Sequence, residues 1–461
     1  MTHHIRQQYL HLELSASEPE GQRMQQLIPD IFYEKLLPAL EKVFDQSVPA
    51  DRLLKIDRLD IDAGSIPLDR VDKDLTEAVL KELTRIFHEE GYNRTPDQES
   101  VQSNGVVLKN SHENTVDIFF YFLETGSLPW NTGLPDSKPL HEVVIEAVRE
   151  IMKGGGIHLF NKNLRKSLSD QGALVRLGNQ FPSAFHAELL SLIAPPVSGL
   201  SRTILSSGEM QQFSAPARDT FIKSIITAAF TYFSGTESPS GEGFRSYLLS
   251  TVPEKQDEQP SIKRMLNSGT KHKNNKSGQE TLQKIQKPTT DIVPEMDPVY
   301  IRNAGLILLH PFLPSFFEDL RVANGDDMLS PEKALQLLGY LVTGNLKTPE
   351  YDLFLPKILC GIPVTKPLAG ECTVSEQESA EGIVLIDAVI GHWEALRDTS
   401  ADGFRGSFLY RPGKLSRSKS EGWILQVETR TWDILLDQLP WGISLIGLPW
   451  MKEVLSVEWN Y

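Results

Sequence analysis

The chain has 461 residues, with 61 acidic against 46 basic side chains, a formal net charge of −15 and 40% hydrophobic residues. That length exceeds what one apolar core serves and predicts about two to four domains, while the apolar content excludes wholesale disorder. The acidity excludes nucleic acid or an anionic membrane surface as the main partner, because both would repel it.

From the N-terminus, MTHHIRQQYL holds no apolar signal-peptide core. Leu10, Leu12 and Leu14 alternate with polar residues, the pattern of a half-buried strand. A helix follows, with Leu27, Ile31, Leu37, Leu40 and Phe44 near one face. Leu54 and Ile56 alternate, then Leu59 and Ile61 alternate on the opposite parity, which predicts a second strand with a bulge. Residues 74–90 return to helical spacing, and Gly91 is placed to stop that helix. Strand, helix, strand, helix predicts a small α/β unit over 1–95 with a parallel or mixed sheet.

Residues 96–251 read as a helical domain. Helices are expected at 116–124, 141–152, 183–193 and 218–233, separated by Gly154-Gly155-Gly156 and Pro195-Pro196. Between 252 and 296 large apolar residues become scarce. Residues 251–290 hold eight Lys or Arg against four Asp or Glu, a local balance of +4. Such a segment buries too little surface to offset its ordering entropy and is expected to be a flexible polar linker; the alternative is a basic arm for an acidic partner.

The remainder, 297–461, predicts a mainly helical domain with a short sheet. It opens with an apolar strand or helix at 300–309. Helices are expected at 313–322, 331–343, 352–361, 379–397 and 431–438, and strands at 423–429 and 455–459. One echo links the two halves: FLETGSL at 122–128 and YLVTGNL at 340–346 share Leu-x-Thr-Gly-x-Leu after an aromatic. Each reads as a helix ending at a glycine cap, and the pair suggests a duplicated helical unit.

Chemistry-bearing patterns are weak. Asp57, Asp60, Asp62 and Gly64 imitate a calcium loop, but Val71 stands where the closing Glu would be needed, so the solvent face of a strand is expected instead. His310 and His392 have no Cys or acid at ligand spacing, and Cys360 with His392 shows no local mark of an activated pair. No metal, cofactor or catalytic residue is expected. With only Cys360 and Cys372, two free thiols in a reducing cytoplasm are expected. Apolar runs such as those at 306–309 and 383–386 fall far short of the ~20 residues that span a bilayer. Gly403, Gly406 and Gly413 interleave with Arg405, Arg411 and Lys414 as a candidate anion-binding loop. The plain alternative is that these arginines hold local carboxylates such as Asp398 and Asp402. Pro-Trp pairs at Trp130, Trp441 and Trp450 are either interface anchors or seals over the core. Trp130, Arg405, Arg411, Trp441 and Trp450 are the candidate partner surface.

NAGLILLHPFLPSFFEDL at 303–320, KILCGIPVTKPL at 357–368, the segment 392–415 and LPWGISLIGLPWMKEVLSVEW at 439–459 resemble the contractile injection system tape measure protein family. YLHLEL, LLPALEKVFDQ and LKIDRLDIDAGSI near the N-terminus carry the same resemblance. It implies a structural role, not an enzyme, in a phage-tail-like particle, with a protein inside the inner tube that sets its length. The implied partners are tube, baseplate and tube-capping proteins, with cargo in the lumen; the implied place is the cytoplasm during assembly. The alternative role is an assembly chaperone or a cargo or baseplate adaptor that stays folded. Folded as one globule the chain would have a radius of gyration of about 23 Å, whereas one continuous helix would reach roughly 690 Å. Its Pro, Gly and strand patterns exclude that single helix.

Overall fold

The computed structural model describes residues 3–460 apart from 4, 6–7, 16, 48–51, 57, 90–105, 131, 133–137, 209, 211–213, 252–297, 369, 371, 397 and 419–421. It divides into two compact units. The first comprises Met1–Asp117, Gly133–Pro139 and Glu146–Ile151, and the second Ile118–Thr132, Leu140–Ile145 and Met152–Tyr461.

In the first unit, helix α1 (Glu18–Ile31) starts where the Glu20 carboxylate turns back to accept from the Ser17 amide at 2.9 Å. A π turn (Phe32–Leu36) carries it into α2 (Leu37–Ser47). Strand β1 (Arg52–Ile56), helix α3 (Val71–Glu89) and strand β2 (Val106–Asn110) complete the unit. Leu36, Leu40, Leu83 and Phe87 bury against Leu54, Ile56, Leu59 and Ile61, so α2 and α3 cover one face of the ribbon. Met24, Ile28 and Ile31 of α1 meet Val71 and Leu75 of α3 in a second cluster.

The sheet departs from expectation. Its ladder is antiparallel, with Arg52 opposite Asn110 and Ile56 opposite Val106. Residues 10–14 are not a strand: Leu10, Leu12 and Leu14 are all more than 40% exposed and irregular. Period-two alternation specifies a strand only when a sheet edge receives it, and β1 pairs with 106–110 instead. Residues 58–67 are also irregular rather than a bulged strand, and turn at Gly64 with φ +69°.

The second unit holds the C-terminal part of α4 (Ser111–Thr125), parts of α5 (Leu140–Lys153), and then α6 (Ile157–Ser167), α7 (Gln171–Gln180), α8 (Ser183–Ile193), α9 (Pro195–Leu205), α10 (Ala215–Ser234) and α11 (Gly241–Thr251). Past 298 come β3 (Val299–Ile301), a 3₁₀ turn (Ala304–Leu309), α12 (Leu313–Asp319), the small hairpin β4 (Ala323–Asn324) and β5 (Asp327–Met328), α13 (Pro331–Thr343), α14 (Phe354–Leu359) and α15 (Glu376–His392). Helix α16 (Ala401–Phe404) runs into a π turn (Arg405–Leu409), followed by β6 (Gly413–Ser418), β7 (Gly422–Val427), a 3₁₀ helix (Thr431–Gln438), β8 (Leu445–Ile446) and β9 (Leu455–Glu458). The five-stranded sheet has the order β3-β6-β7-β9-β8 and is antiparallel except between β7 and β9.

The architecture is mainly helical α+β, as the sequence predicts. Helices at 183–193 and 331–343 have the expected bounds, and the strands expected near 423–429 and 455–459 adjoin in one sheet. The helices at 157–167, 171–180, 195–205 and 241–251 have no counterpart in the sequence reading. Pro195-Pro196, read there as a separator, begins α9, because proline lacks only an amide that the first helical turn leaves unpaired anyway. The polar linker expected at 252–296 lies outside the described residues. No described helix is long and apolar enough to cross a membrane.

The turn 304–309 runs through the C-terminal core with every residue buried. A side chain on Gly305 would lie 1.7 Å from the Phe408 carbonyl oxygen, so only glycine lets this backbone touch the π turn. His310 ends the run half-buried. Its Nδ1 lies 3.0 Å from the Ile307 carbonyl oxygen, and burial lowers its pKa.

Candidate functional site

Among the described residues, the second unit buries both partners of an ion pair in two places. At the first, Arg176 of α7 is 1% exposed and fans its guanidinium over three segments. Nη1 donates to the Leu123 and Glu124 carbonyl oxygens, at 2.8 and 3.0 Å, in the last turn of α4. Nη2 donates to the Thr365 carbonyl, and Nε to Glu350 Oε1 at 3.2 Å. Glu350 Oε1 also accepts from Lys357 Nζ of α14 at 2.7 Å, and Oε2 from the Leu368 amide at 3.3 Å. The Glu350 amide in turn donates to Gln180 Oε1.

Two cations thus share one carboxylate out of contact with water. The surplus positive charge faces helix-end and loop carbonyls, where the partial negative charge of the α4 C-terminus stabilises it. Burial lowers the Lys357 pKa while Glu350 opposes the shift. Gly126, just past α4, makes the close approach possible. Its φ is +77°, and a side chain there would meet Glu350 Oε1 at 2.6 Å and Arg176 Nε at 2.9 Å.

The second place centres on Arg411 and Asp433, both 0% exposed. Arg411 Nη1 donates to Asp433 Oδ2 at 3.0 Å, and Nη2 lies 2.9 Å from Oδ1. Nη2 also donates to the Ser407 carbonyl. The guanidinium lies over the Trp432 and Trp459 rings, 5.7 and 5.4 Å from their centroids. Asp433 Oδ2 takes two further donors, the Arg430 amide and Trp459 Nε1, each at 2.9 Å.

The five residues proposed from sequence as a partner surface fall in different surroundings. Arg411 and Trp450 are interior; Trp450 Nε1 donates to the Leu359 carbonyl and its ring packs on Phe317. Arg405 is also buried, donating from Nε to the Leu341 carbonyl and from Nη1 to Asp402. That pairing with Asp402 is the local-carboxylate alternative to an anion-binding loop. Trp441 and Trp130 are half-buried. Trp441 donates to the Leu308 carbonyl, and the Trp130 ring lies 6.3 Å from Tyr300. The Pro-Trp pairs at 441 and 450 therefore close over the C-terminal core.

The groups considered for chemistry are held structurally. Cys360 is buried, and burial pushes its thiol pKa up, away from the reactive thiolate. His392 Nδ1 lies 2.7 Å from the Ala388 carbonyl, and its ring meets Phe312 edge-on. Asp62 accepts from the Gly64 amide in an exposed turn. Among the described residues no group of three or more His, Cys, Asp or Glu could hold a metal ion.

Residues 2–459 match the model of one family, described as contractile injection system tape measure protein. The chain belongs to that family. The match runs through both units and through both buried charge clusters, and so covers far more than one motif. Comparison with curated proteins and with solved structures finds no match.

Proposed function

We propose that the chain acts in assembly of a contractile injection particle by setting the length of the inner tube, and that it is not an enzyme. The observation that carries this reading is the family match across 2–459. Buried charge clusters that tie distant segments together support a scaffold role, since their polar groups are consumed in holding the fold. The proposed partners are inner-tube, baseplate and tube-capping proteins, with cargo effectors as further contacts. The folded chain is the cytoplasmic form, and residues 252–296 supply part of its extension inside the tube. Trp130 and Trp441, still half-exposed, are the members of the proposed partner surface left to meet a tube or baseplate protein.

A deletion tests the ruler directly. Removing ten residues within 262–290 is expected to shorten assembled particles by about 15–35 Å, the span of ten helical to extended residues. Electron microscopy of purified particles reads the length; an unchanged distribution overturns the ruler.

A further inference from the structure

The shared Leu-x-Thr-Gly-x-Leu segments adopt one geometry twice. Gly126 and Gly344 have φ of +77° and +73°, and each amide donates to the carbonyl four residues back at 2.8 Å. In both copies the threonine hydroxyl donates to the carbonyl four residues earlier, Thr125 to Tyr121 at 2.8 Å and Thr343 to Gly339 at 2.9 Å. In both, the same hydroxyl then accepts from the amide two residues on, at 3.2 Å from Ser127 and 3.1 Å from Asn345.

The likeness extends beyond the cap. Downstream of each lies a Leu-Arg pair, Leu164-Arg165 and Leu396-Arg397, then an N-capped helix. Asp170 accepts from the Ala173 amide and Ser400 from the Gly403 amide, each at the third helical position. An arginine returns to the same carbonyl of each first helix, Arg176 from within α7 to Leu123 and Arg405, from the π turn that continues α16, to Leu341. Leu123 and Leu341 hold the same place in the shared segment. A cation on the exposed carbonyls of a helix end is a favourable latch, and a chance recurrence of a glycine cap would not bring that latch with it.

The copies differ in one respect. Arg405 takes the carboxylate of Asp402, three residues before it, whereas Arg176 takes Glu350, from the segment that follows the second copy's cap. The join made there is mostly polar: Arg176, Gln180 and Asn179 on one side, Glu350, Lys357 and the Thr365 and Leu368 carbonyls on the other. The Phe122–Tyr351 and Trp130–Tyr300 ring pairs add apolar contacts. The large apolar core spanning 299–459 includes no described residue of 118–251.

We infer that the second unit is a tandem of two copies of one arginine-latched helical module, joined at the Arg176–Glu350–Lys357 lock, where the copies part as intact bodies when the charge balance is broken. This stands independently of the ruler reading.

The test is hydrogen exchange with small-angle X-ray scattering on the full chain. Glu350→Gln leaves two buried cations facing no carboxylate. Amide exchange at 123–126, 176–180 and 365–368 should accelerate on the order of a hundredfold or more, with a larger radius of gyration. Protection within α8–α10 and within β6–β7 should persist. Arg405→Met should accelerate exchange at 341–346 alone and leave the lock closed. The triple change Arg176→Met, Glu350→Leu, Lys357→Met, which removes the charges together, should restore the closed form. Loss of protection in both bodies at once, no change on Glu350→Gln, or a triple variant that stays open would each overturn the inference.

Discussion

Arg411 and Arg176 are equally buried, yet they hold different things. Arg411 is enclosed by its own neighbourhood, with Ser407, Glu428, Trp432, Asp433 and Trp459 all drawn from the C-terminal segment 407–459. Arg176 reaches a carboxylate 174 residues away, between the two proposed modules, and the apolar core of 299–459 takes no described residue from 118–251. Buried charge inside a core secures that core; buried charge between cores secures only their arrangement. The difference teaches that burial alone does not give a polar residue's structural weight, because what lies on either side decides what is lost.

The sharpest way to break this contrast is Asp433→Ala. It strands Arg411 beside two indoles and removes the acceptor of Trp459 and of the Arg430 amide. A loss of about 3–5 kcal/mol is expected, read by chemical denaturation as unfolding of the C-terminal core, not as separation of bodies. If Asp433→Ala gave only a local opening, the contrast would fail.

The two glycine caps give the next effect. Gly344→Ala forces a side chain to positive φ but meets Arg405 only at an ordinary 3.5 Å, so about 1–2 kcal/mol is expected. Gly126→Ala adds a clash with Arg176 and Glu350 and should lose about 1–3 kcal/mol more. Equal losses in the two variants would mean the lock yields freely to an extra methyl group.

The smallest effect concerns pH. Asp352, two residues from the lock, has its carboxyl pushed up to about 6, chiefly by burial, with Arg302 opposing. The folded state therefore holds this proton more tightly than the unfolded chain, whose carboxyl titrates near 3.8. Its contribution to stability is full below that value and is lost as pH rises through 6. Asp352→Asn should flatten the denaturation profile between those limits by on the order of 1–2 kcal/mol, allowing for the group's partial exposure. An unchanged pH slope would remove Asp352 from the account.

Much of the helical frame was legible because amphipathic spacing and glycine or proline punctuation are local signals. Residues 183–193 and 331–343 show this, as does the cap shared by Gly126 and Gly344. Residues 10–14 show the limit, since alternation states a capacity for pairing and not the partner. The charge clusters were invisible for the same reason. Nothing near Arg176 distinguishes it from a surface arginine on an amphipathic helix, and Glu350 sits in an unremarked loop. Arg411 stood out because of its glycine-rich surroundings, but its acid, Asp433, lies beyond the local carboxylates that the sequence offered.

The buried turn at 304–309 has a mechanical consequence. It follows residues 252–297 in the chain after only the three-residue ladder of β3 on β6, where Val299 faces Leu415 and Ile301 faces Gly413. A pull along the chain from that side would first load this short ladder and then the middle of the C-terminal core, where Leu306, Ile307, Leu308 and Leu309 are wholly enclosed. Force would arrive at the keystone and not at the rim, so yielding there would dismantle the core in a single step.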